Sequence, residues 1–315
     1  MQTKRKSGLL IQALISLIIV IVLFYYLDIE SFTRQFQKLS FSVFVFIIVL
    51  LIPSVLLRSL RWKILFENAH HNITLVDSTN LMLVGMSLNL ILPASFGDIA
   101  KSYFGYRWSG IKEHMLSVSL LDKVIALGSL AALGIPCALY RGNLSYAFLS
   151  IFVLIPAIFV LILPHLTARI HFVQRLFAWF TKVTGDKFDF SAALKQSGIT
   201  KAKLLYAFLL SVCGWALTYL QMYFCFRAIG SAVPLFYVLA VAPLITLVRL
   251  FPFTLSGIGS DEAVLCYFFT QTGTSMEEIL VGALIYRFLT LILPGLIGLL
   301  PLIFTKRMDV INKQG

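Results

Sequence analysis

Eight ionisable residues stand in or beside long apolar stretches: Asp98, Lys101, Asp122, Lys123, Arg249, Asp261, Glu262 and Arg287. A charge at membrane depth is costly unless it is paired or wet, so each one is a site candidate by default. Asp98 and Lys101 follow the break Leu92-Pro93-Ala94-Ser95-Phe96-Gly97 at nearly one-turn spacing. Either they face a ligand, or Asp98 caps a helix starting after Gly97 and Lys101 snorkels to the cytoplasmic face. Asp122 and Lys123 are sequence neighbours inside Met115–Leu139. Neighbours on a helix point about 100° apart, so they do not form one pair. Asp122 is expected to meet a cation from another helix, with Arg287 as its partner. That pair is either a buried structural bridge or a phosphate-reading guanidinium released when ligand displaces Asp122. Asp261 and Glu262 follow Gly257 and Gly259 at a second break. Two carboxylates there suit a cationic amine or a driving proton, or simply favour a helix N-terminus. Arg249, just before Phe251-Pro252, is placed to read a phosphate.

The elements that carry these residues are membrane helices. The chain is 59% hydrophobic and 13% charged over 315 residues, with a mean hydropathy of +0.91, well beyond a soluble domain of this length. Leu9–Leu27, Gly142–Ala168, Leu204–Phe226 and Ala228–Val248 hold no Asp, Glu, Lys or Arg and are long enough to span a bilayer. The formal charge of +12 falls in loops between apolar runs, which points to membrane orientation and not to nucleic acid. Lys4-Arg5-Lys6 precedes an apolar run too long for a signal-peptide core, with no small-x-small cleavage site before Asp28, so an uncleaved first helix is expected. The four cysteines sit in or beside apolar segments and read as packing residues. The histidines lack ligand spacing, so neither metal nor cofactor is expected.

Cations gather at the N-terminus, at Arg58, Arg61 and Lys63, in a central loop of about 165–203, and at Lys306, Arg307 and Lys313. The positive-inside rule makes all four cytoplasmic, including both termini. The parity works only if two segments enter and return on one side. The reading is an all-α polytopic membrane protein in a single domain, 1–315. It has about six transmembrane helices plus two opposed re-entrant hairpins, about 75–112 and about 234–271; eight ordinary spans are the alternative. Pro93, Gly97, Pro252, Gly257 and Gly259 supply the hairpin turns. Hairpin, charged helix and Gly/Pro-interrupted apolar run occur twice in opposite orientation, the inverted-repeat pattern of secondary transporters. Arg58, Arg61 and Lys63 with Trp62 read as interfacial anchors near anionic head groups.

Arg58-Ser59-Leu60-Arg61-Trp62, Asn89…Leu92-Pro93…Phe96-Gly97-Asp98, Leu121-Asp122-Lys123, Gly257-Ile258-Gly259-Ser260-Asp261-Glu262-Ala263 and Tyr286-Arg287 together carry a resemblance over nearly the whole chain. The sequence resembles the lysylphosphatidylglycerol synthase transmembrane-region, or flippase-like, family. The resemblance implies a bacterial or archaeal cytoplasmic membrane and translocation of a phospholipid or polyprenyl-linked lipid between leaflets, aminoacylated phosphatidylglycerol among the candidates. Only Thr305–Gly315 follow Phe304, so the soluble aminoacyltransferase of multifunctional members is expected to be absent and the chain is not expected to be an enzyme. Ser260-Asp261-Glu262 stands where an Arg-Glu pair is common, which leaves the head group open. Two other readings remain. One is a polytopic lipid transferase, for which an Asp-rich metal-binding run is missing; the other is a non-transporting partner of a separate lipid-modifying enzyme.

Overall fold

The computed structural model describes residues 28–68, 71–92, 96–140, 199–248, 254, 257–305 and 310–312, with scattered positions between 17 and 25 and between 148 and 155. Asp28 opens the first described helix, α1 (Ile29–Gln37): its carboxylate accepts the Ser31 hydroxyl at 2.6 Å and the Glu30 amide at 3.1 Å. The Ser31 hydroxyl, helped by its backbone, holds that exposed carboxyl below the usual aspartate range. The long helix α2 (Phe41–Phe66) follows. Phe41, Val45, Val49, Ile52 and Leu56 recur at helical spacing and are exposed, while Ser54, Ser59, Arg61 and Trp62 on the same helix are buried. A helix with its apolar stripe outward and its polar stripe inward belongs in hydrocarbon, where lipid covers the first and protein satisfies the second.

Strand β1 (His71–Ile73) leads to α3 (Leu75–Asn89), a break, and α4 (Gly97–Ser109). A Cβ on Gly97 would overlap the Gly85 carbonyl and sit 2.6 Å from the Asn89 amide, so this crossing is closed to any other residue. Helices α5 (Lys112–Tyr140), α6 (Lys201–Ala228), α7 (Leu235–Val248) and α8 (Ser260–Phe269) come next. The last membrane segment is α9 (Met276–Arg287), a π turn at Phe288–Ile292, then α10 (Leu293–Ile297) and α11 (Leu299–Phe304). Pro294 cannot donate to the Thr290 carbonyl, and the wide turn accommodates that missing bond. The Ser87 hydroxyl donates to the Gly295 carbonyl, tying this segment to α3. Strand β2 (Val310–Asn312) is the last described element, antiparallel to β1 with His71 opposite Asn312.

The two ends of the bundle can be traced through their contacts. At one end His114 Nε2 lies 2.5 Å from the Phe66 carbonyl, Lys203 donates to the Glu67 carbonyl, and β1 pairs with β2. At the other the Ser40 amide donates to the Ala228 carbonyl at 3.0 Å, and the Phe226 and Phe269 rings lie 4.9 Å apart. The α3–α4 pair thus starts and finishes at the first end, and the α7–α8 pair at the second. The 15 residues of α3 reach about 22 Å at 1.5 Å each, short of a hydrocarbon core of about 30 Å.

Among the described residues four helical runs are long and apolar enough to cross a membrane: Phe41–Phe66, His114–Pro136, Lys201–Ala228 and Met276–Phe304. That is two fewer than the expected six. The other expected spans, Leu9–Leu27 and Gly142–Ala168, fall where only scattered helical positions are described, and most of the 165–203 loop lies outside the described residues. Helices fill both expected hairpin windows, 75–112 and 234–271, around a break in each.

Candidate functional site

Ser211, Gly214, Trp215 and Thr218 recur at three- and four-residue spacing, so they share one face of α6. Ser54, Arg58 and Arg61 do the same on α2. These two faces meet, and all of these residues but Ser54 join Lys123 of α5 and Tyr286 of α9 in lining a cavity of about 120 Å³. Asn89, Leu92 and Asp98 bring the first chain break to its wall, and Thr246 brings the end of α7, next to the second break. Its floor is a charge cluster. Arg61 Nε donates to Asp122 Oδ1 at 2.6 Å, Arg61 Nη1 donates to Ser211 at 2.6 Å, and Lys101 Nζ reaches Asp122 Oδ2 at 3.3 Å. The side chains of Arg61, Asp122 and Lys101 are 6%, 3% and 1% exposed, so this cluster is sealed. Its mouth is more open. Lys123 Nζ lies 2.6 Å from Asp98 Oδ2, with side chains 17% and 30% exposed, and Asn89 donates to Asp98 Oδ1 at 2.9 Å. Arg58 stands between floor and mouth, donating to the Thr218 hydroxyl at 2.8 Å with its guanidinium 5.3 Å from the Trp215 ring.

A second cluster lies beyond Tyr286, which borders both spaces. Arg287 Nη2 donates to the Gly257 carbonyl at 2.8 Å and meets Asp261 Oδ2 at 3.2 Å and Glu262 Oε1 at 2.9 Å. Glu262 Oε2 also accepts the Gly259 amide at 2.8 Å, closing the first turn of α8. Gly257 and Gly259 have φ of +76° and +84°, and a Cβ on Gly257 would come within 2.7 Å of Asp261 Oδ1. The void here is about 10 Å³, close to the volume that one water needs. Among the described residues no group of three or more His, Cys, Asp or Glu side chains is arranged to hold a metal ion.

The model of a family described as the lysylphosphatidylglycerol synthase TM region matches residues 9–298. The chain belongs to that family. It is also similar to a UPF0104 membrane protein of Pyrococcus horikoshii, with 21% identity over 317 residues, covering 90% of this chain and 93% of the relative. A UPF0104 membrane protein of Methanothermobacter thermautotrophicus is 26% identical over 148 residues, 42% of this chain and 41% of that one. Family membership and the apolar helices together make this a multi-pass membrane protein.

The expected Asp122–Arg287 pair is not formed. Asp122 is held by Arg61 and Lys101, and Arg287 by Asp261 and Glu262, so each cation stays with carboxylates near its own chain break. Asp122 and Lys123 do point apart, one to the floor and one to the mouth. Lys101 does not snorkel; it is fully buried. Asp261 and Glu262 engage a guanidinium and a helix N-terminus, and Arg249 lies outside the described residues. The anchor reading of Arg58 and Arg61 is corrected outright, since both turn inward to line the cavity. Sequence reasoning also missed Ser211, Trp215 and Thr218. The polar stripe they form with Gly214 on an apolar helix, matched by Ser54, Arg58 and Arg61, was the available signal.

Proposed function

We propose that this protein holds a lipid head group in the α2–α5–α6–α9 cavity and passes it between leaflets of the cytoplasmic membrane while the acyl or prenyl tails stay in the bilayer. One observation carries the reading: a charged cavity lies within a bundle of apolar helices, lined by residues next to both chain breaks. Polar, irregular backbone is tolerated at membrane depth where it lines a wet space, and paired breaks are where transporters built from repeats bind their cargo. Family membership supports a lipid as the cargo. The α3–α4 and α7–α8 pairs act as opposed re-entrant hairpins of two inverted repeats. The outer termini of the two pairs lie at opposite ends of the bundle, which supports this, as does the antiparallel β1–β2 pairing, which keeps the tail beside the segment after α2. Charge bias makes that end cytoplasmic.

Proteoliposomes with a fluorescent lipid confined to one leaflet test the proposal. Phosphatidylglycerol, its aminoacyl form and a polyprenyl phosphate are compared with protein-free vesicles. At least one of the three is expected to equilibrate faster with protein present. Retention of all three in their starting leaflet contradicts it.

A further inference from the structure

We propose that the cavity is built for a phosphate monoester, with Arg58 as the residue that reads its second negative charge. This inference rests on the lipid-binding reading and narrows it to a class of head group. Among the described residues four cations surround the cavity and its floor: Arg58, Arg61, Lys101 and Lys123. Asp98 and Asp122 oppose them. Both carboxylates are already engaged, Asp122 by Arg61 and Lys101 together and Asp98 by Lys123. Arg58 forms no ion pair among the described residues; it touches a threonine hydroxyl and the face of Trp215, with the Asp98 carboxylate acting on it only at longer range. Among the described residues the cluster therefore carries a formal excess of two positive charges within an apolar bundle. Excess charge of one sign in such surroundings is costly until an opposite charge arrives.

The arrangement suits a tetrahedral dianion. With one N–H of Arg58 on Thr218, its guanidinium still has donors enough for a two-point contact with phosphate oxygens. Thr246, Thr290 and Tyr286 also line the space, although the Thr246 and Thr290 hydroxyls donate to the Ala242 and Tyr286 carbonyls. A volume of about 120 Å³ is several times the roughly 10–15 Å³ that one water requires. A phosphate monoester carries a charge of about −1.5 to −2 near neutral pH, matching the excess, whereas a diester brings a single negative charge. Among the described residues the Asp261–Glu262–Arg287 cluster has a formal excess of one negative charge, but its carboxylates face Arg287 beyond Tyr286 and not the cavity. The same chemistry is offered by a lipid monoester or by free phosphate, and the test separates them.

Binding to the full chain in neutral detergent is measured for phosphatidic acid, phosphatidylglycerol, phosphatidylcholine and inorganic phosphate, with no transport step involved. Phosphatidic acid is expected to bind at least about tenfold tighter than phosphatidylglycerol, the scale of one lost charge-assisted hydrogen bond. Phosphatidylcholine should be weaker still, and inorganic phosphate should compete only at far higher concentration. Arg58→Gln should bring the phosphatidic acid to phosphatidylglycerol ratio close to one at a thermal midpoint equal to or above that of the unaltered protein. Equal binding of the two lipids by the unaltered protein overturns the proposal, whether or not the variant folds. So does retained selectivity in a folded Arg58→Gln protein. Inorganic phosphate binding as tightly as phosphatidic acid overturns the lipid source. Monoester selectivity without any transport would sink translocation and leave this site standing; transport without charge selectivity would do the reverse.

Discussion

The Asp122 carboxylate is shared by two cations, and among the described residues no other acid forms an ion pair with either. Removing it strands both Arg61 and Lys101 in a sealed floor, and breaking a buried pair from one side costs about 3–5 kcal/mol. Asp122→Asn should therefore lower the detergent unfolding midpoint sharply, and adding Arg61→Gln should recover part of the loss. Asp122→Asn combined with Arg287→Gln should show simply additive losses, because the two residues belong to separate clusters. A large coupling between Asp122 and Arg287 would contradict the observed partners. At the second break, Gly257→Val adds a β-branched side chain at φ +76°, against the Asp261 carboxylate. That variant should give little monodisperse protein, whereas Gly230→Ala, also at positive φ but in open space, should be milder.

Among the elements, the π turn after α9 places Thr290 and Leu291 on the cavity wall. Pro294→Ala restores a donor to the Thr290 carbonyl and allows a regular α-helix, in which each residue turns by about 100°. The change should leave stability equal or higher while lipid movement falls, as the wall residues rotate away. Unaltered transport from a regularised helix would remove the wide turn from the mechanism. Elements of this kind were only partly legible in the sequence. Proline and glycine announce both breaks, and apolar length announces the helices, because those signals are local. The face that a cation presents is not local. Arg58 and Arg61 close an apolar run, where a snorkelling anchor and an inward site residue look alike; the polar stripe of α6 decides between them. Lys101 was equally ambiguous: its burial depends on the α3–α4 approach at Gly85 and Gly97, which brings it above Asp122.

For the whole molecule, tracing the two bundle ends makes topology directly testable. Single cysteines at Asn68 and Gly110 should react with an impermeant reagent from the same side of the membrane, and one at Gln271 from the opposite side. Shared reactivity of Gly110 and Gln271 would undo the opposed hairpins. The central claim is that the cavity is the route of the head group, and Gly214 offers the most direct probe of it. A Cβ there would meet only Arg58 Cγ, at 3.9 Å, so alanine fits and gains about 1 kcal/mol of helix propensity. Phenylalanine instead projects into the lined space. Leaflet-resolved lipid movement in proteoliposomes should be near the unaltered rate for Gly214→Ala and close to the protein-free rate for a folded Gly214→Phe. Transport by Gly214→Phe at the unaltered rate would show that the head group travels elsewhere.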